Sequence, residues 1–338
     1  MGYLDNVIGN DKTKRIITNY LITNKMPHAF IIEGAVGSGR KHIAKSIAQA
    51  LSCKSKDNQS IPCCKCINCE KISHNTSPDV ITIDSGEKSS IGVEAIRDVI
   101  NHTYITPNEL DLKVYIIDGA GKMTQQAQNA FLKTLEEPVT KVMYFLVCEN
   151  SQMLLPTITS RAQTLRTSPI DKESIYTYLN FKFHNRNDLH EISALARGNL
   201  GVALKYLNDD QAMSDAKEIR NSVYTLLELL SNKPSKSDIY SYYLNMAESS
   251  ENIYERLRLI YSSMRDVILY KELHTQNFDF FIDEEDIKKY ISTIKPKFAK
   301  KMTAYIEQAI YSLYLNQGSS SENLAMFKLA KETWLSRN

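Results

Sequence analysis

Gly34-Ala35-Val36-Gly37-Ser38-Gly39-Arg40-Lys41 is the stretch that decides the fold. The apolar run Ala29 to Glu33 precedes it, and Lys41 to Leu51 follows with Ile43, Ile47 and Leu51 at helical spacing. Strand, glycine loop and helix in that order build a phosphate cradle. Glycines let backbone N–H groups curl around an anion, and the helix N-terminus adds partial positive charge. The glycines match the pattern G-x-x-x-x-G-K-[ST]. The next two residues do not. Arg40 takes the lysine position, and Lys41 takes the Ser/Thr position, where a hydroxyl would ligand Mg²⁺ and an ammonium repels it. A second register makes Lys41 the loop lysine and leaves His42 where the hydroxyl belongs. Neither is intact. Gly34, Gly37, Gly39, Arg40 and Lys41 therefore read as a degenerate nucleotide site, with weak phosphate or ADP binding at most. The plainer alternative is a glycine turn without a ligand.

Outward from the loop, residues 11–23 read as a helix with Ile16, Ile17, Tyr20 and Leu21 on one face, closed by Pro27. Downstream, residues 79–84 (DVITID) read as a strand, Val93 to Ile100 as a helix, and Val114 to Asp118 (VYIID) as a second strand. Thr124 is placed to cap a helix that runs to Glu137 and stops at Pro138. Met143 to Cys148 reads as a third buried strand. Strands alternating with helices imply an α/β domain with a parallel sheet covered on both faces.

Asp118 ends its strand as an acidic metal-holding residue would. A strand-end aspartate is common, and its meaning here comes from the degraded loop about 80 residues upstream. One large class of hydrolytic P-loop proteins follows this aspartate with a glutamate that polarises the attacking water. Gly119 stands there instead.

Beyond about residue 168 the strand-like runs end and helical periodicity dominates. Ile253, Leu257, Ile260, Met264, Val267 and Ile268 form one continuous face, read as core or inter-subunit packing. Boundaries near Ser168-Pro169 and Asp209-Asp210 divide the chain into residues 1–168, a small helical segment 169–209, and an all-α domain 210–338. Lys295, Lys297, Lys300 and Lys301, around Pro296, read as a solvated face, with DNA contact as the alternative.

Five of the six cysteines fall between Cys53 and Cys69. Cys53, Cys63, Cys66 and Cys69 have the spacing C-x9-C-x2-C-x2-C, which suits tetrahedral, structural Zn²⁺. Free buried thiols and a redox pair are the alternatives. Cys64 reads as a bystander that could swap in, and Cys148 as core. Lys54, Lys56, Lys65 and Lys71 supply little charge for a nucleic-acid ribbon.

The length of 338 residues allows two or three domains. A net charge of +2 excludes a uniformly basic nucleic-acid binder, though not a local patch. No apolar run approaches the roughly 18 residues of a membrane span. The opening MGYLDNVIGNDKTKR lacks a signal-peptide core, so the cytoplasm is the expected compartment.

These residues resemble the AAA+ clamp-loader family of the bacterial DNA polymerase III holoenzyme. The resemblance covers about residues 1–205. It rests on Pro27-His28-Ala29-Phe30, the glycine loop, the PCxxCxxC module from Pro62 to Cys69, and Ser77-Pro78-Asp79-Val80. It continues through the run from Asn129 to Pro138 (NAFLKTLEEP) and that from Leu155 to Arg161 (LPTITSR). It implies an α/β P-loop (AAA+) domain with an inserted zinc module, a small helical lid domain, and an all-α oligomerisation (collar) domain. Motor subunits (tau/gamma) of the family keep an intact loop and an acidic pair. This sequence is similar to the non-hydrolysing delta-prime type, including Gly201 where motors carry the sensor-2 arginine. An active tau/gamma-type motor is the alternative. The family's arginine finger falls on Arg161, followed here by Ala162 rather than cysteine, and acts on a neighbour's ATP site. Asn150 lies near the sensor-1 position. The implied partners are tau/gamma motor subunits and a delta subunit, with the sliding clamp and primed DNA reached through the complex.

Overall fold

The computed structural model describes residues 2–55, 60–86, 88–184, 186–232, 234–248, 252–275, 278–282, 284–315 and 319–337. Lys56 lies outside them. Two compact units form: Met1–Arg186 with Gly198–Ala203, and Asn187–Arg197 with Leu204–Asn338.

The first unit runs β1 (Gly2–Tyr3), α1 (Asp11–Thr23), β2 (Ala29–Glu33), α2 (Arg40–Ser52), β3 (Ser60–Ile61), α3 (Ile67–Ser73) and β4 (Val80–Ile83). It continues α4 (Val93–Thr103), β5 (Lys113–Asp118), α5 (Gln125–Glu136), β6 (Val142–Cys148), α6 (Pro156–Thr159), β7 (Gln163–Arg166) and α7 (Lys172–Lys182). Five strands form one sheet in the order β4-β5-β6-β2-β7, parallel at every pairing. The central strands are buried on both faces, as a parallel sheet under helices requires. Alternation divides their side chains. Phe30 and Ile32 of β2 pack with Ile17 of α1 and Ile43 and Ile47 of α2. Ala29 and Ile31 face the other way, toward Ile96 of α4 and Phe131 of α5. Thr124 caps α5 by accepting the Ala127 N–H at 3.2 Å.

Asp79, wholly buried just before β4, holds a distant loop. Its carboxylate accepts N–H groups from Asn108 at 2.8 Å, Glu109 at 2.7 Å and Leu110 at 2.9 Å. A buried carboxylate needs such donors to offset its lost hydration. That is the physical content of the Ser77-Pro78-Asp79-Val80 signature.

α9 (Leu200–Asn208) begins in the first unit and ends in the second. The second unit contains α8 (Leu189–Leu195), α10 (Asp210–Ser231), α11 (Lys236–Glu248), α12 (Ile253–Leu273), α13 (Glu284–Ile291), α14 (Pro296–Leu315) and α15 (Ser319–Arg337). Ile253, Leu257, Ile260, Met264 and Val267 are all buried in its core, with Ile268 partly buried at its margin. No helix among the described residues is long and apolar enough to cross a membrane.

Candidate nucleotide and metal sites

The glycine loop joins β2 to α2, with Gly37 and Gly39 in the left-handed region and α2 starting at Arg40. Lys41, in the first turn of α2, reaches across to the end of β5. Its Nζ lies 3.1 Å from Asp118 Oδ2. The ammonium thus occupies the place between a P-loop helix and a strand-end aspartate where Mg²⁺ would sit. Lys45, one turn on, adds to the positive field. Its pKa is lowered by burial and by the Lys41 charge, with Asp118 opposing. His42 turns away and donates from Nε2 to the Asn6 carbonyl at 2.9 Å.

Arg40, Asp118 and Gly119 line a cleft of about 380 Å³ together with Asp84, Cys148 and Glu149. The Cys148 thiol is pushed up to about 11, first by burial and then by the Glu33 carboxylate, with Arg40 opposing. Gly119 has φ 80°, left-handed backbone that a side-chain residue enters only with strain. A glutamate here therefore needs a different backbone as well as a different side chain. Asn150 caps its own turn by accepting the Gln152 N–H at 2.9 Å.

The loop is covered by the start of α9. The Asn199 side chain donates to the Val36 carbonyl at 2.6 Å, and the Gly201 N–H donates to the Gly37 carbonyl at 3.0 Å. A Cβ at Gly201 would stand 2.7 Å from both Cα and O of Gly37. No side chain fits that gap, an arginine least of all. Beneath the loop, Thr167 Oγ1 donates to Ser38 Oγ at 2.9 Å.

Arg161 follows α6 and stays on its own chain. Nη2 pairs with Glu136 Oε1 at 2.8 Å, while Nη1 donates to the Thr157 carbonyl at 3.0 Å and to Ser160 Oγ at 3.2 Å. Both charged side chains remain substantially exposed, at 36% for Arg161 and 49% for Glu136. Gln128 of α5 anchors the segment leading to it. Its Oε1 accepts the Leu155 N–H at 2.8 Å, and its Nε2 donates to the Met153 carbonyl at 3.3 Å. Glu136, Gln128 and Asn199 escaped sequence reading. The first two lay within or beside the run ending at Glu137-Pro138, but nothing local marks their partners.

The four predicted sulfurs of Cys53, Cys63, Cys66 and Cys69 lie within 4.8 Å of one another. A tetrahedral ZnS₄ centre with bonds of about 2.3 Å places its sulfurs about 3.8 Å apart, so the donor set fits Zn²⁺. Backbone N–H groups already turn toward sulfur, from Cys63 to Cys53 Sγ at 3.4 Å and from Cys66 to Cys63 Sγ at 3.3 Å. Burial pushes the Cys63 thiol up. Backbone donors at Lys65 and Cys66 and the neighbouring Cys53 and Cys66 thiols outweigh it and bring the value to about 6. At Cys53 and Cys69 burial prevails and raises the thiol above its ordinary value. Cys64 stays outside the cluster, exposed, with its thiol toward the Pro62 carbonyl at 3.6 Å. The cluster is fixed to α2: Gln49 donates to the Cys69 carbonyl and Asn68 to the Ser52 carbonyl, each at 2.7 Å.

Residues 9–171 match the family described as "DNA polymerase III, delta subunit". Among curated relatives, the gamma subunit of DNA polymerase III from Buchnera aphidicola subsp. Schizaphis graminum is 32% identical over 214 residues, 62% of this chain and 58% of that protein. The tau subunit from Escherichia coli K12 is 30% identical over 230 residues, 66% of this chain and 35% of that protein. The chain thus spans less than two thirds of either relative. A solved gamma subunit-related protein from Thermotoga maritima aligns with a TM-score of 0.42 at 18% identity, over 97% of this chain and 99% of that one. The family match falls on the sheet unit that carries the glycine loop, the cysteine cluster and the Arg161 segment, and over that unit, just under half of its length, the chain is similar to the clamp-loader proteins of DNA polymerase III.

Proposed function

We propose that this chain is a non-hydrolysing clamp-loader subunit of the delta-prime type, working in the cytoplasm. It assembles with tau/gamma motor subunits and a delta subunit, and presents Arg161 to a neighbour's ATP site while the complex loads the sliding clamp on primed DNA. The single observation that carries this reading is the 3.1 Å pair between Lys41 and Asp118. A cation built into the chain stands where hydrolysis needs an exchangeable divalent metal, and Gly119 supplies no base. In this reading, residues 1–168, 169–209 and 210–338 act as AAA+, lid and collar domains. The cysteine cluster holds a structural Zn²⁺, and Gly34, Gly37, Gly39, Arg40, Lys41 and Asp118 form a nucleotide site that binds weakly or not at all.

The alternative is an ATP-hydrolysing motor subunit, which has the gamma and tau names of the relatives in its favour. Phosphate release by the purified chain, with and without primed DNA, separates the two. The delta-prime reading expects background rates. Turnover that disappears on changing Gly34 or Arg40 favours the motor.

A further inference from the structure

Within the second unit, the end of α10, the segment before α14, the first turns of α14 and the end of α15 enclose a cleft of about 660 Å³. Its floor is apolar. Leu230, Ile294 and Phe298 are buried there and Trp334 is half-buried. Lys295, Lys297 and Lys301 also line it, all exposed, and no carboxylate does among the described residues. Lys300, in the same run, is instead paired with Glu272 at 2.7 Å.

These cations sit where the helix field opposes them. α14 starts at Pro296 with no acidic residue in its first turn, and a helix N-terminus disfavours positive charge. Lys297 and Lys301 are in addition a like-charged i,i+4 pair. α13 shows the usual arrangement, opening on Glu284, Glu285 and Asp286. Uncompensated positive charge over an apolar floor calls for a ligand that is negative and carries a bulky apolar group.

We propose that this cleft docks a segment of a partner protein in which an acidic stretch adjoins a bulky apolar side chain. The carboxylates meet the three lysines and the N-terminus of α14, and the apolar side chain enters between Trp334, Phe298 and Leu230. The volume suits a few side chains rather than a folded surface. Single-stranded nucleic acid fits less well, because it asks for charge extended along a track with aromatic platforms, whereas here the charge rims one cleft.

The test is fluorescence anisotropy on the full chain, with a labelled peptide made of an aspartate run followed by leucine and phenylalanine. Two controls replace the aspartates with asparagine or the apolar pair with serine, and an oligothymidylate is the third ligand. Saturable binding should weaken with salt. It should fall about tenfold in K295Q/K297Q/K301Q, three modest ion pairs' worth, and fall again in Leu335→Ser. Leu335 lines the cleft and is 56% exposed. All four substituted side chains are exposed, so folding is not at stake. Absence of saturable binding, equal binding of either control peptide, or tighter binding of the oligothymidylate through the same lysines overturns the proposal.

Discussion

Lys41 Nζ and Asp118 Oδ2 stand 3.1 Å apart, joining the first turn of α2 to the end of β5. The pair neutralises the aspartate without a metal, so any residual nucleotide binding should be indifferent to Mg²⁺. Lys41→Ser removes the internal cation and frees Asp118 for a divalent ion. Retention of a fluorescent ADP should then become Mg²⁺-dependent, while phosphate release stays at background because Gly119 still lacks a carboxylate. Mg²⁺-dependent retention already present in the wild type contradicts this account.

One Zn²⁺ per chain is expected in protein purified without chelator. Structural zinc contributes on the order of 10–16 kcal/mol in small zinc peptides. Here a separate sheet core exists, so the loss should be local to the segment held by Gln49 and Asn68. Elemental analysis should find zinc lost in Cys66→Ser and kept in Cys64→Ser, since Cys64 lies outside the cluster. Retention in the first variant would place the ligands elsewhere.

Arg161 should matter to its neighbours and hardly at all to its own fold. Its pair with Glu136 is exposed and of the kind worth roughly 0.2–1 kcal/mol, easily released for a contact in trans. Arg161→Ala in an assembly reconstituted with wild-type partners should lower DNA-stimulated ATPase and clamp loading. The drop should be smaller than the roughly 10³–10⁵ of a lone arginine-finger site, because other sites keep theirs. Glu136→Gln removes the ion pair, leaving the Nη1 bonds to Thr157 and Ser160, and should leave both rates at or above wild type. Equal rates in wild type and Arg161→Ala would reduce this residue to surface charge.

Asp79→Ala should destabilise the sheet unit by about 2–3 kcal/mol, by leaving the buried Leu110 N–H and the part-buried N–H groups of Asn108 and Glu109 without their acceptor. Urea unfolding, followed by a probe in that unit, measures it. A loss below about 1 kcal/mol would mean that water takes over the carboxylate's role.

The sheet was legible where its strands are apolar runs between turn residues, as at Ala29 to Glu33 and Met143 to Cys148. β7 was not, because it is an edge strand with one buried side chain, Leu165, and no apolar run to betray it. The two-residue pairing of β1 with β3 is too short to leave any period. The sites divide in the same way. Spacing brought the four cysteines together and marked the loop as degraded. What compensates the degradation did not show, because Lys41 meets Asp118, and Asn199 meets Val36, only once the parallel order is built.

The closeness of Gly201 to Gly37 bears on how such a site could ever be regained. Arg40 and Lys41 are each one substitution away from a working residue, and Gly119 needs a local change of backbone besides its substitution. At Gly201 even a methyl group meets backbone at 2.7 Å. An arginine there first requires the loop and the start of α9 to part, giving up the bonds from Asn199 and Gly201 before any benefit returns. Gly201→Ala, cheap on an open helix, should here cost about 1–3 kcal/mol through overpacking, read by thermal unfolding. If the chain is the non-hydrolysing type proposed above, the loss of hydrolysis behaves as a ratchet: Arg40 and Lys41 could revert singly, but the backbone packed onto the loop holds the way back shut.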